Sequence, residues 1–299
     1  MGTAMHHDHE GQRVSRRAIF AGISSLGLGS LLAACGDGGS ATTSTGETVA
    51  PEAVTTADLT GLFTGANTCA LTATTTQGPY YFDADKIRSD IREDRPGTRL
   101  RLAIKVQDSE ECKPLGNAVV EIWHCDAAGL YSGAEAMSSG GSGQPGGTPP
   151  SGQPGGTPPS GAPQPGAGQP GGQNGGEGDA ADLQPQDDKR YLRGAQVTNS
   201  DGIVQFTTIW PGWYRGRTVH VHVMVHVDNS RVLTTQLMFD EALNTKVFAA
   251  APYSAKTGRD TFNDGDSIYR DSMLLKITED GDGYLGVIVL AADSDHDGK

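Results

Sequence analysis

The stretch Thr218-Val219-His220-Val221-His222-Val223-Met224-Val225-His226-Val227 decides how this chain is read. Valine holds every odd position from 219 to 227, while His, His, Met and His hold 220, 222, 224 and 226. A β-strand sends successive side chains to opposite faces, so the pattern predicts a strand whose valine face turns to a core. The same pleat sends His220 and His222 together to the other face, and two neighbouring imidazoles make half of a metal site. His226 shares that face but stands about 13 Å along the strand at roughly 3.3 Å per residue, too far to join the same ion.

On both sides of this strand the sequence breaks into short alternating segments. Residues 99–106 and 118–124 read as strands upstream, and residues 191–198 and 203–209 as two more, with Asn199-Ser200-Asp201-Gly202 as a hairpin turn between them. Residues 210–217 form a rigid aromatic turn feeding the histidine strand. Residues 232–239 are strand-like, and 273–277 with 284–290 make a closing hairpin around the acidic turn 279–283. Residues 85–92 read as a short helix or turn. Many short strands with turns between them predict an all-β sandwich of mixed and antiparallel strands with long loops.

The chain has 299 residues, a formal charge of -13 and 20% charged residues, with no basic stripe, so nucleic acid is not the expected partner. Residues 137–187 are low in complexity: the nonapeptide at 142–150 repeats unchanged at 151–159. Such a tract lacks the apolar groups that offset ordering entropy, and it is expected to be a disordered surface insertion in a folded domain spanning 66–299.

The N-terminus reads as an address. Arg16-Arg17 precedes an apolar run too short to span a membrane, and the run ends in Leu32-Ala33-Ala34-Cys35. The expectation is a twin-arginine lipoprotein signal over 1–35, a lipid anchor at Cys35 on the outer face of the membrane, and a flexible tether over 36–65. Cys69, Cys112 and Cys125 then remain in an oxidising compartment, which predicts one disulfide and one buried thiol. A strand over 118–124 would hold Cys112 and Cys125 roughly 20 Å apart, beyond the reach of about 7 Å that a disulfide allows. Cys69 is therefore expected to pair with one of the other two.

Further ligands are needed beside His220 and His222. Of eight histidines, His6, His7 and His9 fall in the leader, leaving five. Two tyrosines stand at well-braced turns: Tyr131, just past a strand end after Cys125-Asp126-Ala127-Ala128-Gly129-Leu130, and Tyr214 in the aromatic turn. Two phenolates and two imidazoles suit a hard trivalent ion such as Fe(III).

These residues lie in two longer motifs. Ala118-x-Val120-x-Ile122-Trp123-His124-Cys125-Asp126-x-x-Gly129-x-Tyr131-Ser132 is one. Arg193-Gly194-x-Gln196-x-Thr198, running through Pro211-Gly212-Trp213-Tyr214-x-Gly216-Arg217-x-x-His220-x-His222, is the other. Together they resemble the metal-tyrosine segments of the intradiol ring-cleavage dioxygenases, notably exported single-chain members. The resemblance implies non-haem Fe(III) held by Tyr131, Tyr214, His220 and His222, with Arg217 and Gln236 as active-site groups, Tyr214 as a base and Tyr80 in the substrate pocket. It implies cleavage of a small aromatic diol by O2, between its hydroxylated carbons, to a cis,cis-muconate-type diacid. The family's frequent dimerisation makes a homodimer the expected assembly.

Two other readings compete. Copper/zinc superoxide dismutases also place His-x-His in an exported β-sandwich, but their site uses more histidines than survive here. A non-catalytic surface lipoprotein using its aromatics as a binding face leaves the joint occurrence of Tyr131, Tyr214, His220, His222 and Arg217 unexplained.

Overall fold

The structure is a computed structural model that describes residues 69–139 and 181–298, together with Gly61, Phe63 and the backbone of residues 41–42 and 48–49. The leader with Cys35, and residues 140–180 of the expected insertion, lie outside the described residues. Within the expected tether, β1 (Ala41–Thr42) pairs antiparallel with β2 (Thr48–Val49).

The remaining strands form the sandwich that the alternating segments predict. β3 (Arg99–Asp108), β6 (Ile203–Ile209), β9 (Lys276–Asp280) and β10 (Gly283–Ala292) make one sheet in the order β6-β3-β10-β9, with β3 and β10 parallel. β4 (Val119–Trp123), β5 (Arg193–Val197), β7 (His220–Val227) and β8 (Ser230–Met238) make the second, wholly antiparallel sheet in the order β5-β4-β7-β8. Between them lie Leu100, Leu102, Ile104 and Val106 of β3, facing Val120, Ile122, Val219, Val221, Val223 and Val225 of the second sheet. Each such buried aliphatic contributes roughly 1.5–3 kcal/mol, so the valine face of β7 fixes which way its histidines point.

Two local expectations are corrected. Asn199–Gly202 is a tight turn, with Gly202 at φ 72° and its N–H donating to Asn199 O at 2.9 Å, but it does not close a hairpin. β5 pairs with β4 and β6 with β3, so the turn passes the chain from one sheet to the other. The end of β3 captures it: Val106 N–H donates to Gly202 O at 2.8 Å, and a Cβ at Gly202 would meet Val106 O at 2.3 Å. Residues 85–92 are neither helix nor turn. They run extended across both edge strands, with Ala195 N–H donating to Lys86 O and Thr207 N–H to Ser89 O, both at 2.8 Å. Ile91 is buried in the core, and positive φ values at Asp85 and Glu93 bracket the segment.

Order also reaches into both ends of the repeat tract. α1 (Glu135–Ser138) opens it, and at its exit Leu183 N–H donates to Tyr81 O at 2.7 Å and Gln186 N–H to Gly133 O at 2.8 Å. Lys189 pairs with Glu135 at 2.6 Å across this neck. α2 (Glu241–Phe248) follows β8, capped by Asp240, whose carboxylate accepts from the N–H groups of Ala242 and Leu243. Cys69 bonds to Cys112 with Cα atoms 5.3 Å apart and Cys125 is a buried free thiol, which gives the expected one disulfide and one buried thiol and decides between the two partners left open for Cys69.

Candidate functional site

The site lies on the face of the second sheet turned away from the inter-sheet core. Register places Arg193, Trp123, His222 and Gln236 directly opposite one another on β5, β4, β7 and β8, so one rung carries all four. His220 follows at the next outward position of β7. Connections cover this face: the arm 77–82, the turn 126–133 after β4, the turn 210–217 before β7, and residues 263–268. Gly78 belongs to that cover and needs its lack of a side chain, since it has φ +73° and a Cβ would lie 3.1 Å from His222 Cε1.

The four expected donors converge. Tyr214 Oη lies 3.0 Å from His220 Nε2, and His220 Nε2 lies 3.2 Å from His222 Nε2. The Tyr131 ring stands edge-on to Tyr214 at 5.7 Å and to His222 at 6.4 Å between centroids. Tyr131 is fully buried and Tyr214 half-buried. The histidine tautomer follows from a hydrogen bond. His220 Nδ1 is 2.6 Å from Thr218 O, and a carbonyl only accepts, so Nδ1 carries the proton and Nε2 presents a bare lone pair to the cluster. Trp123 stacks on His222 with centroids 4.9 Å apart and an angle of 7°, which fixes that ring.

Burial sets the ionisation. It pushes Tyr131 far above the usual phenol range, reinforced by the facing Tyr214, and it pushes Tyr214 up as well despite the nearby Arg217 charge. Burial also depresses His220 to about 3 and His222 well below the ordinary imidazole value, with His220 and Arg217 adding to the effect on His222. Five buried polar atoms here make no hydrogen bond: Tyr131 Oη, His222 Nδ1, Gln236 Nε2, Trp123 Nε1 and Arg193 Nη1. Buried donors and acceptors of this kind are costly unless something satisfies them. A hard cation beside the two Nε2 atoms and the two phenol oxygens would satisfy Tyr131 Oη by coordination, while the N–H groups of Trp123, Arg193 and Gln236 can serve only as donors, so the O/N donor set fits Fe(III).

Arg217 and Gln236 meet at the edge of the cluster: Arg217 Nη2 donates to Gln236 Oε1 at 2.5 Å. Tyr80 stacks on Tyr131 with centroids 4.6 Å apart and stands edge-on to Tyr214 at 6.2 Å. Its neighbours clamp the arm. Tyr81 packs on Trp123 and donates to Glu121, while Phe82 lies under the Arg193 guanidinium at 4.0 Å. His226 sits beyond a register shift in β7, outside the cluster.

Three residues that shape the site are given no role by the sequence, although Arg193 and His124 lie in its motifs. Asp266 accepts from Arg217 Nε at 2.9 Å and from Thr218 N–H at 2.8 Å, thereby orienting the arginine and the entry to β7. Burial works against its charge, but Thr218 N–H and Arg217 hold its carboxyl below the usual range. Arg193 is fully buried and ties the arm to the Tyr131 turn, donating to Tyr80 O at 2.8 Å and to Ser132 Oγ at 2.9 Å. His124, beside the rung, is fixed between Cys125 O at 2.8 Å and Thr208 Oγ1 at 2.7 Å. Asp266 stands too far along the chain for spacing to reveal it, whereas the Arg193-Gly194 pair already lies in the quoted motif.

Comparison with known proteins bears on the fold and the family. A family model described as Dioxygenase matches residues 76–142, which include Tyr80 and Tyr131. An intradiol ring-cleavage dioxygenase from Tetranychus urticae is 29% identical over 76% of this chain and 97% of its own, with a TM-score of 0.59. The dioxygenase domain of a carbohydrate-binding fusion from Streptomyces sp. SirexAA-E is 22% identical over 75% of this chain and 98% of its own, with a TM-score of 0.47. Hydroxyquinol 1,2-dioxygenase from Pseudomonas putida DLL-E4 is 14% identical over 79% of this chain and 71% of its own, also at 0.47. No curated protein matches. The family match and the Tetranychus structure carry the argument, and they do not favour a non-catalytic binding module. On the family match, the sandwich and that structural likeness, the chain is a homologue of the intradiol ring-cleavage dioxygenases, a family of enzymes.

Proposed function

We propose that this chain is a non-haem Fe(III) dioxygenase that opens a catechol-type ring between its two hydroxylated carbons with O2, giving a cis,cis-muconate-type diacid. The carrying observation is the buried convergence of the Tyr214 phenol oxygen with two imidazole Nε2 atoms, with the Tyr131 ring edge-on to Tyr214 and His222, its Oη unpartnered, and the His220 lone pair aimed inward. Tyr131, Tyr214, His220 and His222 are the ligands in this reading. When bound, Fe(III) would supply Lewis acidity that favours loss of the diol protons, leaving the ring electron-rich toward O2.

The chain's own residues supply the rest. Tyr214, the half-buried member of the tyrosine pair, would be a phenolate when it holds the ion and could then accept a diol proton at its Oη to become the neutral phenol, while Tyr131 stays anchored by Ser138, whose Oγ accepts from Tyr131 N–H at 3.0 Å. Tyr80 forms an aromatic wall against which a planar ring can lie. Arg217, held by Asp266 and Gln236, offers a fixed cation to the anionic charge that develops as the ring opens. Trp123 and the arm 77–82 keep water from His222.

The test is a visible spectrum of the protein from Gly36 onward, before and after adding catechol under argon. A red-brown tyrosinate-to-iron band that shifts with catechol is expected, and Tyr131→Phe should lose both colour and turnover. A protein that stays colourless after iron reconstitution would sink the reading.

Export by the twin-arginine route, with a lipid anchor at Cys35, completes the proposal. The Cys69–Cys112 disulfide supports it, because such bonds persist in oxidising compartments. Labelled fatty acid should enter the wild type and not Cys35→Ala.

A further inference from the structure

Tyr131 and Tyr214 sit on turns from different parts of the chain, and their spacing depends on how those turns meet. The first turn is rigid: Asp126 Oδ1 accepts from the N–H groups of Ala128 and Leu130, each at 2.9 Å. The second docks on it, with Gly212 N–H donating to Asp126 O at 3.1 Å. The approach is so close that a Cβ at Gly129, which has φ +81°, would lie 2.3 Å from Trp213 O. This brings the carbonyl oxygens of Ala128 and Trp213 near one another, and like partial charges repel.

The half-buried Lys256 occupies that junction. Its Nζ donates to Ala128 O at 2.6 Å and to Trp213 O at 2.8 Å, and it lies 4.6 Å from the centroid of the Trp213 ring. An ammonium is a compact charge with several donors, suited to two carbonyls that approach from one side. Charge-assisted bonds of this kind are about twice as strong as neutral ones. A third element holds the lysine in turn. Lys256 N–H donates to Tyr253 O at 3.0 Å, and Tyr253 Oη donates to Trp210 O at 2.6 Å, at the start of the Tyr214 turn.

We propose that Lys256 is a positioning residue that sets the separation of the Tyr131 and Tyr214 phenol oxygens by clamping the carbonyls of their two turns. The proposal rests on the assignment of both tyrosines as iron ligands. Lys256 touches neither tyrosine ring, and it lies outside both motifs that identify the family.

The experiment compares iron-loaded wild type with Lys256→Met, which keeps the stem on Trp213 but loses the donors, and with Lys256→Gln, which keeps one amide donor group. Folding is checked by circular dichroism and thermal unfolding. The readouts are the position of the tyrosinate-to-iron band and iron affinity by chelator competition. For Lys256→Met the band maximum should move and affinity fall about 10- to 100-fold, the usual cost of disturbing groups behind a metal ligand. Lys256→Gln should fall between, and it decides the matter by the same readouts if Lys256→Met does not fold. Folded variants with the wild-type band and affinity overturn the proposal, even if their Tm is lower, because the lysine would then be merely structural. A wild type that takes no colour overturns the ligand assignment and the clamp together, whereas a coloured wild type with unmoved variants overturns the clamp alone.

Discussion

Removing Asp266 should cost more than its single carboxylate suggests, because three donors depend on it. Its side chain is 1% exposed and accepts from Arg217 Nε, from Thr218 N–H and, through its other oxygen, from Ile268 N–H at 2.9 Å. Removing one partner of a buried ion pair costs about 3–5 kcal/mol. Arg217 keeps 19% exposure and recovers some hydration, which favours the lower end, whereas the buried Thr218 N–H adds about 1–3 kcal/mol when left alone. Asp266→Ala should therefore destabilise the metal-free protein by about 4 kcal/mol. Asp266→Asn keeps an acceptor for the backbone but loses the charge, so about half that is expected. The carboxyl lies below its ordinary value in the fold, so its contribution is complete at neutral pH and is lost only as pH falls through the folded value. Urea unfolding at pH 7, followed by tryptophan fluorescence, gives the difference as a change in midpoint at constant slope. A loss below about 1 kcal/mol for Asp266→Ala, under the range expected for a broken buried pair, would refute the reasoning. So would equal losses for the two variants.

Other outcomes follow from the same framework. Burial depresses His124 from 6.5 to about 4, so the unfolded chain takes up a proton first as pH falls. The metal-free protein should accordingly lose about 3 kcal/mol at this residue between pH 7 and 4, and His124→Asn should flatten the slope of stability against pH. The disulfide closes a separation of 43 residues, and chain entropy gives about 4 kcal/mol for a loop of that size. Cys69→Ser with Cys112→Ser should lower the unfolding free energy by that amount, read as a lower urea midpoint, while leaving the visible band in place, since neither cysteine touches the site. Phe82→Ala removes the ring beneath Arg193 and should raise the KM for a diol more than it lowers kcat, because the arm bearing Tyr80 loosens while the Tyr131 turn keeps Ser138.

Much of this architecture was legible in the sequence because alternation is a local signal. The valines of β7 face the core and its histidines the site, as period two requires, and Tyr131 and Tyr214 stand at the turns where strand ends put them. What escaped depends on pairing between distant segments. Asn199–Gly202 reads as a hairpin turn because turn chemistry says nothing about which strand captures the exit, and β3 captures it here. Residues 85–92, with charges on every side, lack helical periodicity because their backbone is satisfied by β5 and β6. The α2 helix did leave a mark, in Asp240 as cap, Glu241 in its first turn and Lys246 in its last, but its apolar stripe is short. Asp266 left none: its importance comes from where residues 263–268 fold back.

One rung of the second sheet carries Arg193, Trp123, His222 and Gln236, and its geometry ties chemistry to pairing. Shifting β7 by one residue against either neighbour would turn its imidazoles inward and put valines where the donors stand, so that the β7 share of the core lost its valines to histidines. No partly slipped sheet keeps a partial site. Convergence of the four donor atoms therefore serves as a proofreading signal for strand alignment, and a chain able to gather them has already solved its topology.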